Sequence, residues 1–183
     1  MKSDDSQSRG EWIRANLERY EGPLIRYALR FTRDLDRARD VAQGTFLKLC
    51  SEDRAKVENH LAAWLFAVCR NRALDVARKE GRMNPIAESE WEVLPVETPS
   101  PSQAMERKER TGQVREAIAL LPPRQQEALR LKFQEDLSYR EISHIMETTV
   151  SNVGALIHAA LANIRKRLNT RPIGATETGG PSS

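Results

Sequence analysis

The chain has 183 residues, of which 39% are hydrophobic, 5% aromatic and 30% charged. This length suits one larger or two small domains, and the high charged fraction is typical of small helical domains with well-solvated surfaces. No apolar run is long enough to span a membrane, and the N-terminus is polar where a signal peptide is apolar, so we expect a cytoplasmic protein without membrane insertion. Cys50 and Cys69 lie in apolar helical surroundings without CxxC spacing, which predicts two buried thiols and excludes a disulfide framework.

The net charge of +3 conceals an uneven distribution of charge along the chain. Residues 1–83 contain 17 Lys and Arg against 13 Asp and Glu, and residues 107–171 contain 12 against seven. Residues 84–106 contain five acidic residues and no basic ones. Two basic segments therefore flank an acidic one. A phosphate backbone attracts the basic segments and repels the acidic segment.

Apolar residues recur at helical spacing from Glu11 to about Glu80, with no convincing strand alternation. Gly22-Pro23 interrupts the first apolar run, which predicts two helical pieces or a kink there. We expect an all-α protein with a first helical domain at 1–83. A Pro-rich acidic segment follows at 84–106, and its composition predicts a flexible linker that is either simply mobile or also bound to a positively charged channel.

Helical periodicity resumes near Ser102, so the second domain is predicted at 107–170, with a disordered Gly/Pro/Ser/Thr-rich tail at 171–183. Leu120-Leu121-Pro122-Pro123 places prolines where a helix can begin. Ser138 and Glu141 have capping-box spacing at the start of a short helix, and Thr148 or Thr149 can cap the next. Two helices with a tight turn and a shared apolar face predict a helix-turn-helix.

In a helix-turn-helix the early residues of the second helix meet base edges in the major groove. Ser151, Asn152 and Ala155 are the candidates because they alternate with Val150 and Val153, which we expect to be buried. Asn152 has the amide needed for a bidentate contact with adenine, and His158 lies one turn after Ala155. Basic side chains that can hold phosphates are those of Arg124, Arg130, Lys132 and Arg140. The alternative is an ordinary antiparallel helix pair with a polar outer face.

Two segments of the first domain carry further candidate sites. Residues 36–49 place Asp40, Gln43, Phe46 and Lys48 along one helix, a pattern that suits docking to a partner helix or, alternatively, a solvated face with Phe46 buried. Residues 60–82 concentrate guanidinium, ammonium, amide and carboxylate groups behind an apolar Trp64–Val68 run. Such groups are what single-stranded DNA binding requires, and the alternative is a solvated basic face. The residues are Arg70, Asn71, Arg72, Asp75, Arg78 and Lys79.

The order of these segments resembles the extracytoplasmic-function (ECF) sigma factors of bacterial RNA polymerase. The matching segments are DRARDVAQGTFLKL, AAWLFAVCRNRALDVARK, the acidic Pro-rich linker and LLPPRQQEALRLKFQEDLSYREISHIM, and together they cover roughly residues 11–168. The resemblance implies a transcription initiation factor in which a region 2 domain binds the clamp helices of the largest subunit of core RNA polymerase and opens promoter DNA. A region 4 domain would read duplex DNA further upstream, and an anti-sigma factor is a further expected partner.

Carried over by position, Asp40, Gln43 and Phe46 fall on the core-binding helix of this family. Asn71, Arg72, Asp75 and Arg78 fall on the segment that reads the unpaired promoter strand. Six positions depart from the family pattern: Arg39 and Gly44 stand where acidic residues are common, Glu147 replaces a turn glycine, and Gly154-Ala155-Leu156 replaces a basic triplet in the recognition helix.

Two other classes of protein compete with this interpretation. A free-standing helix-turn-helix regulator would bind a palindromic operator without polymerase. An enzyme would need a catalytic constellation, but the three histidines are scattered and the sequence has no Gly-rich phosphate loop or metal-ligand spacing. We therefore expect a protein that is not an enzyme and that needs no cofactor or metal ion.

Overall fold

The computed structural model describes residues 2–81 and 111–170, and the side chains of residues 9–81 and 111–169. The predicted linker at 84–106 and tail at 171–183 lie outside these ranges. Within them, the secondary structure is helical without any strand, which confirms the all-α prediction. Across the same two ranges, no helix is both long and apolar enough to cross a membrane.

The first group of helices comprises α1 (Lys2–Thr32), α2 (Leu35–Ser51), α3 (Arg54–Val57), a 3₁₀ turn (Glu58–His60) and α4 (Leu61–Lys79). The second group contains the helical residues 111–119 (α5), α6 (Pro123–Phe133), α7 (Tyr139–Ile145) and α8 (Val150–Thr170). In the first group, α1, α2 and α4 pack against one another, and in the second, α8 packs against α6 and α7. The two groups also touch, through α4 and α7.

Helix α2 shows how the local sequence produces this packing. Asp34 has an extended backbone and its carboxylate accepts a hydrogen bond from the Arg37 N–H at 2.9 Å, which caps the helix. The buried residues then recur at three- and four-residue spacing: Ala38, Val41, Ala42, Thr45, Phe46 and Leu49. Because this stripe faces α1 and α4, the opposite face of α2 points to solvent.

The sequence predicted either two helical pieces or a kink at Gly22-Pro23, and the prediction of two pieces is wrong. Helix α1 continues through Pro23 from Lys2 to Thr32. Proline removes one backbone hydrogen bond from a helix interior. The buried residues Leu24, Tyr27 and Phe31 immediately follow it, and their packing holds the helix on its path.

Aromatic packing defines the centre of the first domain. The Tyr27 ring meets Phe31 and Phe66 edge-on, with centroid distances of 5.5 Å and 5.2 Å. Cys69 lies in the same core, and burial raises the pKa of its thiol to about 12. The predicted burial of Cys69 is confirmed, but that of Cys50 is wrong: Cys50 is exposed because it follows the buried Leu49 on the turn that faces solvent.

Helices α6, α7 and α8 of the second domain begin where the prolines and capping residues of the sequence predict. Helix α6 begins at Pro123, as the double proline predicts. Ser138 and Glu141 form both hydrogen bonds of the predicted capping box, and Thr149 accepts a hydrogen bond from the Asn152 N–H at 3.1 Å at the start of α8. The core between the helices is aliphatic and includes Leu129, Leu131, Ile142, Ile145, Met146, Val153 and Ile157.

The turn between α7 and α8 contains a residue in the left-handed region. Glu147 has φ of 49°, in a conformation that favours glycine, and a non-glycine residue there costs about 1 kcal/mol. The Thr148 N–H donates to the Ser143 carbonyl at 2.9 Å and closes the turn. The sharp reversal thus persists although glutamate replaces the turn glycine.

The capping box makes the stability of the second domain depend on pH. Hydrogen bonds from the Ser138 side chain and backbone lower the pKa of Glu141 below its ordinary value of 4.5, although burial opposes the shift. A carboxyl group with a depressed pKa in the folded state stabilises the fold above its unfolded pKa, and this stabilisation is lost as the pH falls through the folded pKa.

We expect Glu141→Gln to lower the free energy of unfolding by up to about 1 kcal/mol at neutral pH, because the amide keeps the shape but loses the charge at the helix N-terminus. The difference from wild type should disappear well below pH 4.5, measured by urea denaturation. Glu18→Gln, at an exposed position of α1, serves as the control. A difference that persists unchanged in acid would contradict this prediction.

Candidate protein and nucleic-acid interfaces

The exposed face of α2 carries three of the four predicted polymerase-binding residues. Asp40, Gln43 and Lys48 are exposed, whereas Phe46 is only 5% exposed and contributes to the core. The Lys48 ammonium lies 5.9 Å from the centroid of the Trp64 ring, which places it on the α4 side of the helix.

Leu47 is the residue of this face that the sequence interpretation missed. Its side chain is 65% exposed, and it lies one turn after Gln43 and two turns after Asp40. Gln43, Phe46 and Leu47 border a surface groove that α1 completes with Ile13, Leu17 and Ile25. The signal was present in the sequence, since Leu47 shares the helical register of Asp40 and Gln43.

The exposed side of α4 carries most of the predicted strand-binding residues. Arg72, Asp75, Arg78 and Lys79 are exposed, and the Asp75 carboxylate pairs with the Arg78 guanidinium at 3.0 Å. One surface pocket between α2 and α4 is bordered by Asp40, Val41, Arg72, Asp75, Val76 and Lys79. The structure therefore brings a predicted polymerase-binding residue next to three predicted DNA-binding residues.

The Arg72 side chain can lie against α2 because residue 44 is a glycine. A Cβ atom at Gly44 would overlap the Arg72 guanidinium, at 2.6 Å from Cζ and 2.7 Å from Nε. These distances are far below van der Waals contact, so the Arg72 side chain occupies the space that a side chain at position 44 would fill. The departure from the family pattern at Gly44 thus coincides with a notch that receives Arg72.

Arg70 differs from its neighbours because it contacts the second domain. Its Nε donates to the Glu127 carboxylate at 2.9 Å, and the two side chains are 12% and 6% exposed. The Tyr27 hydroxyl donates to the same carboxylate oxygen at 2.7 Å. Neither Glu127 nor Tyr27 was singled out in the sequence, because their partners lie 57 and 100 residues away along the chain.

This interdomain cluster is electrostatically coupled. Burial, followed by the Glu127 charge and hydrogen bond, raises the pKa of Tyr27 well above its ordinary value of 10.0. Burial alone would lower the pKa of Arg70, but Glu127 and Tyr27 reverse that effect and raise it. The guanidinium therefore stays charged and is held by the carboxylate.

The helix-turn-helix exposes the predicted base-reading residues. Ser151, Asn152, Ala155 and His158 are all exposed, and Asn152 donates to the Thr148 hydroxyl at 2.8 Å. Val150 is 47% exposed, so the prediction that it is buried is wrong, whereas Val153 is fully buried. Val150 is the first residue of α8, before the helix turns its apolar side towards α7.

The predicted phosphate-binding side chains divide between surface and interior. Arg140 is exposed, and Arg124 is exposed while donating to the Met146 carbonyl at 3.3 Å. Lys132 donates to the Leu137 carbonyl at 3.2 Å. Arg130 is only 6% exposed, so its prediction as a surface phosphate contact is wrong for this conformation.

Gly154 lies where α8 passes Tyr139. A Cβ atom at this position would lie 3.8 Å from Tyr139 Cε2, an ordinary van der Waals contact. Packing against α7 therefore does not require glycine here.

Two family descriptions match the two helical groups. Sigma-70 region 2 matches residues 17–83, and sigma-70 region 4 matches residues 111–164. ECF RNA polymerase sigma factor SigM of Bacillus subtilis (strain 168) is 31% identical over 156 residues, which cover 82% of this chain and 91% of the relative. The RNA polymerase sigma factor YlaC of the same organism is 26% identical over 152 residues, covering 81% and 87% respectively.

Solved structures share the fold. The sigma factor RpoE of Bartonella quintana, in complex with the anti-sigma factor NepR, aligns with a TM-score of 0.58 and 20% identity over 87% of this chain and 98% of that chain. CnrH, in complex with the cytosolic domain of CnrY, aligns with a TM-score of 0.52 and 20% identity over 87% and 89%. With both sigma-70 regions in order and a relative of 31% identity along most of its length, the chain belongs to the ECF sigma factors, which direct RNA polymerase to promoters.

Proposed function

We propose that this sigma factor binds core RNA polymerase through the outward face of α2 and an unpaired promoter strand through the exposed part of α4. The observation that carries the proposal is the shared surface pocket of α2 and α4, where Asp40 lies beside Arg72, Asp75 and Lys79. One unit of three packed helices can then hold the polymerase and the opened strand at the same time.

The polymerase-binding surface would consist of Asp40, Gln43 and Leu47. An exposed leucine beside a carboxylate and an amide offers an apolar anchor with polar contacts at its edge, which suits a partner helix. The expected partner is the clamp helices of the largest polymerase subunit. Phe46 would act from the core, by fixing the register of α2 against α1 and α4.

The strand-binding surface would consist of Asn71, Arg72, Asp75, Arg78 and Lys79. Guanidinium and ammonium groups neutralise phosphates, and an amide or a carboxylate can bond the edges of unstacked bases. The ion pair between Asp75 and Arg78 limits the freedom of both side chains before DNA arrives. Arg70 would join this surface only after it leaves Glu127.

The helix-turn-helix would contact duplex DNA upstream through Ser151, Asn152, Ala155 and His158, with Arg124 and Arg140 near the phosphates. No Lys or Arg occurs between Val150 and Ile164 of α8, so the electrostatic share of this contact is small. Attachment to polymerase through the first domain would compensate, because tethering raises the local concentration of the second domain at the promoter.

The proposed function also implies where the protein acts and a further binding partner. A promoter-selecting subunit acts where the polymerase acts, so we place the protein in the cytoplasm as a binding subunit rather than an enzyme. The structurally similar sigma factor RpoE was solved with the anti-sigma factor NepR, and the structurally similar CnrH with the cytosolic domain of CnrY. By analogy, an anti-sigma protein is proposed as a further partner of this chain.

Run-off transcription with purified core enzyme on genomic promoters, including the promoter of its own gene, tests the proposal. The expected result is a discrete transcript that requires both the chain and core enzyme. A gel shift with and without core enzyme separates this function from that of a free-standing regulator, which would bind duplex DNA alone. Failure to associate with core enzyme or to direct it to any promoter would overturn the proposal.

Two double substitutions should separate the two surfaces of the first domain. Arg72→Ala with Arg78→Ala should reduce open-complex formation about tenfold or more while core binding is retained, because two phosphate contacts are lost. Asp40→Ala with Gln43→Ala should instead reduce co-purification with core enzyme. Permanganate footprinting and pull-down measure the two effects, and equal loss of both activities in either variant would contradict the division.

Gly44→Ala should displace Arg72 from its notch and reduce open-complex formation, although alanine is the better helix former. Because the displaced atoms belong to the flexible end of a side chain, we expect the thermal stability to stay unchanged or rise. Gly112→Ala is a matched control, since a Cβ atom there meets nothing within 4 Å.

The effect of Gly44→Ala should vanish when Arg72 is already alanine. An equal further loss in the Arg72→Ala background would show that Gly44 acts independently of Arg72.

A further inference from the structure

The contact between the two domains contains a buried charged cluster beside apolar residues of both cores. The Glu127 carboxylate on α6 accepts hydrogen bonds from Tyr27 of α1 and Arg70 of α4, at 2.7 Å and 2.9 Å. Arg30 of α1 donates to the Pro123 carbonyl at 3.5 Å beside it. Polar interfaces between domains resemble transient interfaces, because their groups can regain water when the domains separate.

The contact covers part of the surface that the proposed function assigns to promoter DNA. Glu127 engages the guanidinium of Arg70, and α7 lies across the adjacent part of α4. A surface pocket at this seam is bordered by Asn71 and Ala67 on one side and by Arg140, His144, Glu147 and Thr148 on the other. Candidate DNA-binding residues of both domains therefore face each other across the seam.

The Glu127 carboxylate resembles a DNA phosphate in how it binds Arg70. A carboxylate and a phosphate both accept hydrogen bonds from a guanidinium, and a buried carboxylate at 2.9 Å leaves no room for a phosphate at the Nε of Arg70. Glu147 adds negative charge close by, since its field also raises the pKa of Arg70. Two acidic groups of the second domain, Glu127 and Glu147, thus lie close to Arg70.

We propose that Glu127 is an intramolecular latch that holds the free sigma factor closed by occupying Arg70 in place of a promoter phosphate. The latch must open before Arg70 can contact a promoter phosphate, because the Glu127 carboxylate occupies its Nε at 2.9 Å. The latch opens when core enzyme binds the first domain and upstream duplex DNA binds the second. This inference rests on the proposed function for the identity of the excluded ligand, but the closed state itself does not.

The test uses the full chain without polymerase and two latch variants, Glu127→Gln and Tyr27→Phe. Glu127→Gln keeps the shape and removes the charge, and Tyr27→Phe removes one hydroxyl from the same cluster. Asp136→Asn is the control, because it removes a carboxylate from a fully exposed side chain of the same domain. Circular dichroism establishes that each variant remains helical.

Small-angle X-ray scattering should give a larger radius of gyration for both latch variants than for wild type and Asp136→Asn. Binding to a single-stranded promoter oligonucleotide, measured by fluorescence anisotropy, should become about fivefold to tenfold tighter for Glu127→Gln, because the apparent affinity scales with the open fraction. Folded latch variants with unchanged scattering and unchanged oligonucleotide affinity would overturn the latch, as would an extended wild-type chain.

The two readouts also separate the latch from the proposed function. If the latch variants have a larger radius of gyration but the wild-type chain does not support transcription with core enzyme, the closed state is retained and the sigma activity is rejected. If the wild-type chain supports transcription but is already extended without core enzyme, the sigma activity is retained and the closed state is rejected. An expanded Glu127→Gln variant with unchanged oligonucleotide affinity would show that Arg70 is not a phosphate contact and would overturn the proposed exclusion.

Discussion

The burial of one face of α2 between α1 and α4 is the constraint on which the first domain depends. Ala38, Val41, Ala42, Thr45 and Leu49 have no other surface on which to bury their apolar groups. Once that stripe is fixed, the 3.6-residue period leaves Asp40, Gln43 and Leu47 on the outside. The same packing brings α4 alongside α2, so the placement of the surface residues follows from the core rather than from their own interactions.

Local patterns in the sequence predicted what depends on neighbouring residues. The double proline at the start of α6, the capping box of α7 and the cap at Thr149 each require contacts within four residues, and all are present. Helical periodicity also gave the all-α fold and the exposure of Asp40, Gln43 and Asn152. The roles assigned to these exposed residues remain predictions until the substitutions are made.

What the sequence could not provide depends on contacts between distant parts of the chain or on the ends of helices. Arg70 looked like its exposed neighbours, yet its partner lies 57 residues away. Gly22-Pro23 looked like a break, yet tertiary packing carries α1 through it. Val150 and Cys50 lie at or near helix termini, where a regular period no longer predicts which way a side chain points.

The charged seam has a consequence for how such a protein can evolve. Each apolar core must be preserved for its domain to fold, whereas the charged part of the seam consists of a carboxylate, a guanidinium and a hydroxyl that water can replace. Sequence drift at these positions would change how readily the two halves part while leaving both folds intact. Under the proposed latch, substitutions at Glu127 or Tyr27 would change the open fraction of the free protein without altering the side chains proposed to contact DNA.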